Sequence, residues 1–277
     1  GSKVMTTGLT EMELDLPSSS GLSIRDGIEK IGGNISKIRT AQLAKNEWAA
    51  YIELHIEQGG FLFQEGNHIG VVEGIVGIKQ WDVTVNGFPN HAGTTPMDRR
   101  KDALLSASYI TQAVNTIATT DEICRVGTVG VMNVTAAAEN VVPGNVYLTA
   151  EFRDADTRKL EDANRRLRAI CSDLESTTGV MIKITSNGVS NPMPMSQRIQ
   201  KTINEVSQTL SLETILIPSG AGHDAQSMAA ITEAGMIFVP SEDGISHSPE
   251  EYSSQLDCSN GTNVLLNSLM EIDEDFD

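Results

Sequence analysis

The order of periodic segments between residues 77 and 193 constrains the fold of this chain more than any other feature. Alternating apolar residues in QWDVTVNG (80–87) predict a strand, and apolar residues at helical spacing over 100–118 predict a helix. Strand patterns follow in VGTVGVMNV and VYLTAEFRD, then a long amphipathic helix in TRKLEDANRRLRAICSDLEST and a strand in MIKITSNGV. This β-α-β-β-α-β order is typical of a ferredoxin-like sandwich, so we predict an inserted domain over residues 77–193.

The segments on either side of the insertion predict one split α/β domain, residues 1–76 with 194–277. Before the insertion we predict a helix around IRDGIEKIGGNISKI, a buried strand over 49–57, a short helix in FLFQEG and a strand in HIGVVEGIVGI. After it we predict a helix over 196–210, a strand in TILIP, a helix following GHDAQSM, a strand in GMIFVP and a final helix near 258–270. Alternating strands and helices favour a parallel-type sheet covered by helices.

The composition narrows the class of partner. The chain has 37 Asp and Glu against 20 Lys and Arg, a net charge of −17, which argues against nucleic-acid and anionic-membrane partners because these carry like charge. No apolar run reaches the roughly 20 residues of a membrane span, and no signal peptide is recognisable at the start. Three widely spaced cysteines indicate a reducing compartment, so we predict a cytoplasmic protein. The acidic end, EIDEDFD, is predicted to be solvated.

Two histidines follow strands at the sheet edge where α/β proteins usually bind ligands. His55 stands near the end of the strand over 49–57, and His247 follows the strand GMIFVP. Neutral imidazole is the commonest protein ligand of zinc-like metals, although a catalytic zinc usually has three protein ligands. The simpler alternative for His55 is a strand histidine bonded to a backbone carbonyl.

Two further candidates lie within the predicted insertion. His91, in FPNHAGTTPMDRR, is either a functional residue or a turn histidine capped by Asn90 and Gly93. Asn140, in AENVVPG, precedes a proline turn and alternatively caps that turn.

Three further positions have a structural interpretation, and for Arg153 and Gly222 a functional one stands beside it. Arg153 closes the strand VYLTAEFRD and either binds an anion or forms an ion pair with Asp154. His223, in SGAGHDA, reads as a residue at a helix start. The glycine Gly222 indicates either a close approach of the backbone to a ligand or a simple tight turn.

Five motifs together, ELHIEQG, NHAGTTPMDRRKDA, NVVPG, SGAGHDAQSM and GISHSPEEYS, resemble the metal-dependent amidohydrolases of the M20 peptidase family. The resemblance is to the branch with allantoate amidohydrolase, N-carbamoyl-L-amino-acid hydrolase, β-ureidopropionase and ureidoglycolate amidohydrolase, and it covers the chain from about residue 50 onward. It implies a catalytic domain interrupted by a lid that also forms a homodimer. It also implies hydrolysis of a ureido or carbamoyl C–N bond with one or two divalent ions, zinc or manganese.

The resemblance implies roles for individual residues. The metal ligands would be His55 and His247, and Gln58 would contact the substrate. In the lid, His91 would reach the active site of the partner subunit and stabilise the developing oxyanion. Asn140 and Arg153 would be further lid residues of that kind, with Arg153 gripping the substrate carboxylate. The backbone near Gly222 would form part of the substrate cradle.

One part of the family pattern is not found in the sequence. The H-x-D motif, the bridging aspartate and the Glu-Glu pair that carries the general base precede the ELHIEQG region in the family, and we expect them outside this chain. We therefore expect the chain to be the carboxyl-terminal part of a longer enzyme. Two alternatives remain, a peptidase or aminoacylase of the same superfamily and a metal-deficient, non-catalytic dimerising module.

Overall fold

The computed structural model describes residues 1–17 and 21–274, so the last residues of the predicted acidic tail lie outside it. The helices are α1 (Ser2–Thr6), α2 (Glu11–Leu14), α3 (Ile24–Lys30), α4 (Phe61–Glu65), α5 (Ala103–Thr119), α6 (Thr157–Thr178), α7 (Gln197–Thr209), α8 (Asp224–Met228) and α9 (Gln255–Glu274), with 3-10 segments at Ile35–Ala41, Met97–Arg99 and Glu242–Gly244. The strands are β1 (Ala50–Ile56), β2 (Ile69–Ile75), β3 (Gly77–Asn86), β4 (Asn90–His91), β5 (Val126–Thr128), β6 (Met132–Thr135), β7 (Val141–Val142), β8 (Asn145–Asp154), β9 (Met181–Ser190), β10 (Met193–Pro194), β11 (Thr214–Ser219) and β12 (Glu233–Val239).

The chain forms two compact units. The split unit contains residues 1–75 and 193–277, and the inserted unit contains residues 76–192. Both boundaries lie one residue from those expected from the sequence. The chain leaves the split unit after Ile75 and returns to it at Met193. These two residues pair with each other in the sheet of the split unit.

The sheet of the split unit has the order β1-β12-β2-β10, and β11 also pairs with β2. β1 is parallel to β12 and β11 is parallel to β2, but β12 and β2 are antiparallel. The α/β class is confirmed, while the sheet is mixed rather than purely parallel.

Helices cover both faces of this sheet. Ile237 and Val239 of β12 face α7 and α9, whereas Met236 and Phe238 face α4 and α8. Two-sided burial explains the continuous apolar run GMIFVP. β1 was predicted to be buried, but all of its residues are half-buried, because in the described residues it pairs with β12 alone.

The inserted unit is a ferredoxin-like sandwich, as predicted. Its sheet has the order β5-β8-β3-β9, with β6 also on β8, and all of these pairs are antiparallel. Side chains of α5 and α6 pack with the sheet around Trp81 and Phe152, whose rings meet edge to face at 5.8 Å. The segment VGTVGVMNV forms two short strands, β5 and β6, rather than one.

Two predicted helices differ from the structure. The helix expected around residues 24–38 ends at Lys30, because Gly32 adopts a left-handed φ of 84° and a Cβ at Gly33 would lie 2.6 Å from Ile28. The helix expected after GHDAQSM lies on DAQSM itself, as the five-residue α8. In residues 1–17 and 21–274, no helix combines the length and apolar content needed to cross a bilayer.

Candidate functional site: a histidine and carboxylate cluster at the end of β1

Strand β1 carries three polar side chains on one face. Tyr51, Glu53 and His55 alternate with Ile52 and Leu54, which pack toward α7 and α9. The Nδ1 atom of His55 lies 2.8 Å from the carbonyl oxygen of Ile56. A carbonyl oxygen can only accept, so Nδ1 carries the ring proton and Nε2 keeps its lone pair. The predicted bond to a backbone carbonyl is therefore present, and it leaves the other nitrogen able to bind a metal.

His223 meets His55 from the connection between β11 and α8. The two rings contact edge to face with centroids 4.6 Å apart, and the side chain of His223 is 2% exposed. Its Nε2 lies 2.8 Å from the hydroxyl of Ser219, which donates to the carbonyl of Ala221. Because the single hydroxyl proton is used there, the histidine donates from Nε2 and has its lone pair on Nδ1.

Glu53 completes the cluster from the same strand as His55. One carboxylate oxygen accepts a 2.7 Å bond from the backbone N–H of Ala225 and lies 3.4 Å from the hydroxyl of Tyr51. The other oxygen lies 3.7 Å from Nδ1 of His223. Burial, followed by the charges of Glu53 and Asp224, raises the pKa of Tyr51 to about 12, so this hydroxyl remains a donor at neutral pH.

His223 is neutral at physiological pH. Burial, and then the charge of His55, lowers the pKa of His223 to about 4. At pH 7 its contact with Glu53 is therefore a lone pair facing a carboxylate rather than an ion pair. Nδ1 of His223 and the carboxylate oxygen of Glu53 lie 3.7 Å apart, and both are acceptors. A cation bound between them would be attracted to both atoms.

The donor set of this cluster fits a divalent metal ion. Within the described residues, Glu53, His55 and His223 form the one group of three such side chains whose ligand atoms all lie within 4.8 Å of one another. Two imidazoles and one carboxylate are a common protein ligand set for catalytic zinc. The backbone bond of His55 and the Ser219 bond of His223 are the outer contacts that usually fix the orientation of such ligands.

His247 lies outside this group of three. It is exposed, on the loop after β12, and its pairing with His55 around one cation stays a prediction. The pKa of Glu251 is lowered by hydrogen bonds from the backbone of His247 and the hydroxyl of Ser246, and more weakly by the charges of His247 and His55. Both histidines therefore stand within electrostatic range of one carboxylate.

Gln58 is on the loop that follows β1. Its side-chain amide donates to the hydroxyl of Ser246, so the structure brings it to the loop that carries His247. Its predicted contact with substrate is not tested by this arrangement.

The inserted unit brings His91 and Asn140 together. Their segments pair through β4 and β7, and the N–H of Ala92 donates to the carbonyl of Asn140. The predicted turn around His91 is present: its N–H donates to the side chain of Asn90, and its Nδ1 accepts from the N–H of Gly93. Both His91 and Asn140 are exposed.

The predicted roles of Arg153 and Gly222 stay predictions, and the structure describes the surroundings of both residues. Arg153 forms its ion pair with Glu151, two residues earlier in β8, while Asp154 accepts from the backbone of Arg125. A Cβ at Gly222 would meet only Gln226, at an ordinary 3.8 Å, so packing within the chain does not demand a glycine there. Its predicted role beside a substrate stays a prediction.

The sequence pattern left two members of the cluster unassigned. Glu53 was not singled out, although its spacing of two residues from His55 on a strand predicts a shared face. His223 was read as a residue at a helix start, which it is, but the approach to His55 depends on packing of α8 against β1 and β12.

Sequence comparisons match the chain to a peptidase family and to relatives named amidohydrolases. The profile of peptidase family M20/M25/M40 matches residues 1–271. An N-carbamoyl-L-amino-acid amidohydrolase of Paenarthrobacter aurescens is 34% identical over 274 residues, 99% of this chain and 66% of that protein. The allantoate amidohydrolase of Escherichia coli is 36% identical over 232 residues, 80% of this chain and 54% of that protein. The chain thus spans no more than about two thirds of the length of these relatives.

Comparison with solved structures finds the same fold in an amidase. A crystal structure of an amidase of the hydantoinase/carbamoylase family from Burkholderia multivorans superposes with a TM-score of 0.88 at 32% identity, covering 98% of this chain and 65% of that one. With a family profile matched along almost all of its length, and with the fold of a solved amidase, the chain belongs to peptidase family M20/M25/M40.

Proposed function

We propose that this chain provides part of an amidohydrolase that hydrolyses a linear ureido or carbamoyl C–N bond, as in allantoate or an N-carbamoyl-L-amino acid. In such a reaction one water is consumed, the C–N bond breaks, and the carbamoyl group is released as carbon dioxide and ammonia. The names of the relatives support this substrate class. The observation that carries the proposal is the cluster of Glu53, His55 and His223 at the carboxyl end of β1.

The proposed cofactor is a zinc or manganese ion held through Nε2 of His55. A bound divalent ion supplies Lewis acidity and brings the pKa of water to about 7. Glu53 and His223 are the neighbouring donors in the structure, and His247 is the second ligand implied by the resemblance. Gln58 and the backbone near Gly222 are proposed to contact the substrate beside these ligands.

His91 is proposed to stabilise the oxyanion of the tetrahedral transition state. Its Nδ1 accepts a 3.0 Å hydrogen bond from Gly93, so in the neutral ring the proton is on Nε2, which can donate. The turn that holds this ring is braced by Arg100, which donates to the carbonyls of Ala92 and Thr95. A donor fixed before the reaction needs no reorganisation when charge develops.

The proposed homodimer is supported by the separation of two lid residues within one inserted unit. Asn140 and His91 lie beside the start of β8, whereas Arg153 lies eight positions beyond Asn145 on that strand, a rise of about 27 Å. No small substrate can span this distance. If both ends bind the same substrate, Arg153 and the pair of His91 and Asn140 must come from different copies of the chain.

Two alternatives and a location complete the proposal. A peptidase or aminoacylase would use the same metal cluster on a different acyl group, and a non-catalytic module would keep the fold without holding metal.

We also propose a cytoplasmic location, because Cys124, Cys171 and Cys258 are free thiols, as expected in a reducing compartment.

The test is a substrate panel on the longer enzyme that contains this chain, with zinc and with manganese. It measures ammonia release from allantoate and N-carbamoyl-L-amino acids against cleavage of dipeptides and N-acetyl amino acids. We expect ureido compounds to be preferred by at least about 100-fold, which is below the roughly 10⁴- to 10⁵-fold discrimination that hydrogen-bonding sites can achieve. Cleavage of dipeptides alone would identify a peptidase.

Metal content separates the enzyme from the non-catalytic module. The wild-type chain and the H55A, H223A, H247A and H68A variants are compared for Co²⁺ uptake. We expect H55A to lose tight binding and the control H68A to keep it, because the His68 imidazole accepts from the backbone N–H of Glu213 and is not part of the cluster. Of H223A and H247A, the variant that also loses tight Co²⁺ binding identifies the second imidazole that binds the ion. A wild-type chain without Co²⁺ uptake would remove the metal from this proposal.

A further inference from the structure

Two residues in left-handed backbone conformations lie on neighbouring loops of the split unit. Gln58 follows β1 with a φ of 57°, and His247 follows β12, also with a φ of 57°. β1 and β12 are adjacent parallel strands, so both loops leave the same edge of the sheet. A residue other than glycine persists in this conformation only where its surroundings hold it, and such residues cluster at functional sites.

The two loops are joined by short contacts. The backbone N–H of Gln58 donates to the buried hydroxyl of Ser241, and its side-chain amide donates to the hydroxyl of Ser246, both at 3.1 Å. A Cβ at Gly244 would lie 2.5 Å from the backbone nitrogen of Gly60, so the backbones themselves are in contact. The loop after β1 therefore fixes one side of the loop that carries His247.

Glu251 fixes the other side. A single carboxylate oxygen accepts from the N–H of His247 at 3.0 Å and from the hydroxyl of Ser246 at 2.9 Å. Through Ser246 the same oxygen is connected to Gln58. The carboxylate of Glu251 has no part in the chemistry proposed above, although it belongs to the motif GISHSPEEYS.

We propose that Glu251 is a positioning residue: it holds His247 and Ser246 against Gln58 and so sets where the His247 imidazole stands beside the end of β1. The hydrogen bonds by which Glu251 fixes the loop all lie within this chain and need no metal. Its consequence for metal binding rests on the proposed function, in which His247 is a ligand.

The loop is closed at its base without Glu251. The N–H of Glu242 donates to the carbonyl of Tyr252 at 2.9 Å, and the hydroxyl of Ser253 donates to the carbonyl of Pro240 at 2.6 Å. Removing the Glu251 carboxylate should therefore release the tip of the loop and leave the fold intact. Glu250 offers a matched control, because it has the same charge and exposure but bonds the hydroxyl of Ser248.

The first measurement is amide hydrogen exchange in the metal-free chain. We expect E251A to speed exchange of the His247 amide by at least about tenfold, because the bond that protects it is lost. The amide of Glu242 at the base of the loop should not change, and E250A should match the wild type at both positions. An unchanged His247 amide in E251A would overturn the proposal.

The second measurement is Co²⁺ affinity of the same variants. We expect the Kd to rise on the order of 10- to 100-fold in E251A, the usual effect of removing an outer contact of a ligand, and to be unchanged in E250A. E251Q should stay close to the wild type, since its amide oxygen can still accept both hydrogen bonds. A loss in E251Q equal to that in E251A would show that charge, not the hold on the loop, matters, and would overturn the proposal.

A double-mutant cycle with H247A identifies the route of the effect. If Glu251 acts by placing His247, then E251A should cause no further loss of Co²⁺ affinity in the H247A background. An undiminished loss there would overturn the positioning role. A wild-type chain that takes up no Co²⁺ would instead contradict the proposed metal chemistry, and hydrogen exchange would still decide whether Glu251 holds the loop.

Discussion

At the scale of single residues, the hydrogen bonds of the histidines decide what each ring can do. The carbonyl of Ile56 directs the proton of His55 to Nδ1, which leaves Nε2 for a metal. The N–H of Gly93 has the opposite effect on His91, which leaves Nε2–H as a donor. One backbone contact each therefore leaves Nε2 of His55 as an acceptor and Nε2–H of His91 as a donor, as the proposed ligand and oxyanion roles require.

Replacing His91 tests the donor role. In the longer enzyme to which we propose this chain belongs, we expect H91A to lower kcat for a ureido substrate on the order of 100- to 1000-fold, the usual effect of losing one oxyanion donor. Metal content should be unchanged, because His91 is not part of the metal cluster. H68A is the control for a histidine outside both sites. Normal turnover of H91A would exclude the ring from the chemistry.

Replacing Arg153 tests carboxylate binding. Glu151 accepts a 2.6 Å bond from Nε of Arg153 and orients the planar guanidinium. A lysine cannot reproduce that planar fork, so in the same longer enzyme we expect R153K to raise KM by about 10- to 100-fold with a smaller change in kcat. R158K, at a side chain that is 90% exposed, is the control. Equal kinetics for R153K and the wild type would exclude this contact.

Among the secondary-structure elements, α7 and β12 make close contact because residue 235 is a glycine and has no side chain. A Cβ at Gly235 would lie 2.2 Å from a methyl group of Ile199, which is completely buried. Helix and strand therefore approach more closely here than any other residue allows. This contact helps to position β12, the strand next to β1 and its cluster.

We expect G235A to lower the free energy of unfolding by about 1–3 kcal/mol, the usual effect of overpacking a core. G188A is the control, because a Cβ in that strand would make only ordinary contacts, the nearest at 3.5 Å. Urea unfolding of both variants measures the difference. If G235A has the same free energy of unfolding as the wild type, α7 can move away from β12 without loss of stability, and the prediction is wrong.

Element order was readable from the sequence, but pairing was not. Alternation and helical spacing predicted β3, α5, β8, α6 and β9 close to their observed bounds. The antiparallel pairing of β2 with β12 was not predicted, because periodicity reports which residues face a core and not the direction of a neighbouring strand.

At the scale of the whole molecule, the inserted unit has a core of its own and two ends that lie side by side. Ile78 pairs with Ser190 between its first and last main strands. We expect residues 76–192 expressed alone to fold cooperatively, as shown by circular dichroism and urea unfolding.

The same fragment allows a test of the core. Phe152 is fully buried against Trp81, so F152A should cost the fragment about 3–5 kcal/mol, whereas F88A, 63% exposed in the structure, should cost less than about 1 kcal/mol. A fragment that stays unfolded would show that its core needs the rest of the chain.

The class of each segment, the nested order of the two units and the motifs of the family can be read from the sequence, because they depend on local periodicity and residue identity. Which side chains meet depends instead on how distant segments pack. Glu53 and His223 are separated by 170 positions in the chain, and their contact arises because α8 packs on β1. The loop that carries His247 likewise contacts Gln58, which lies 188 positions before Ser246, so local periodicity does not reveal this contact.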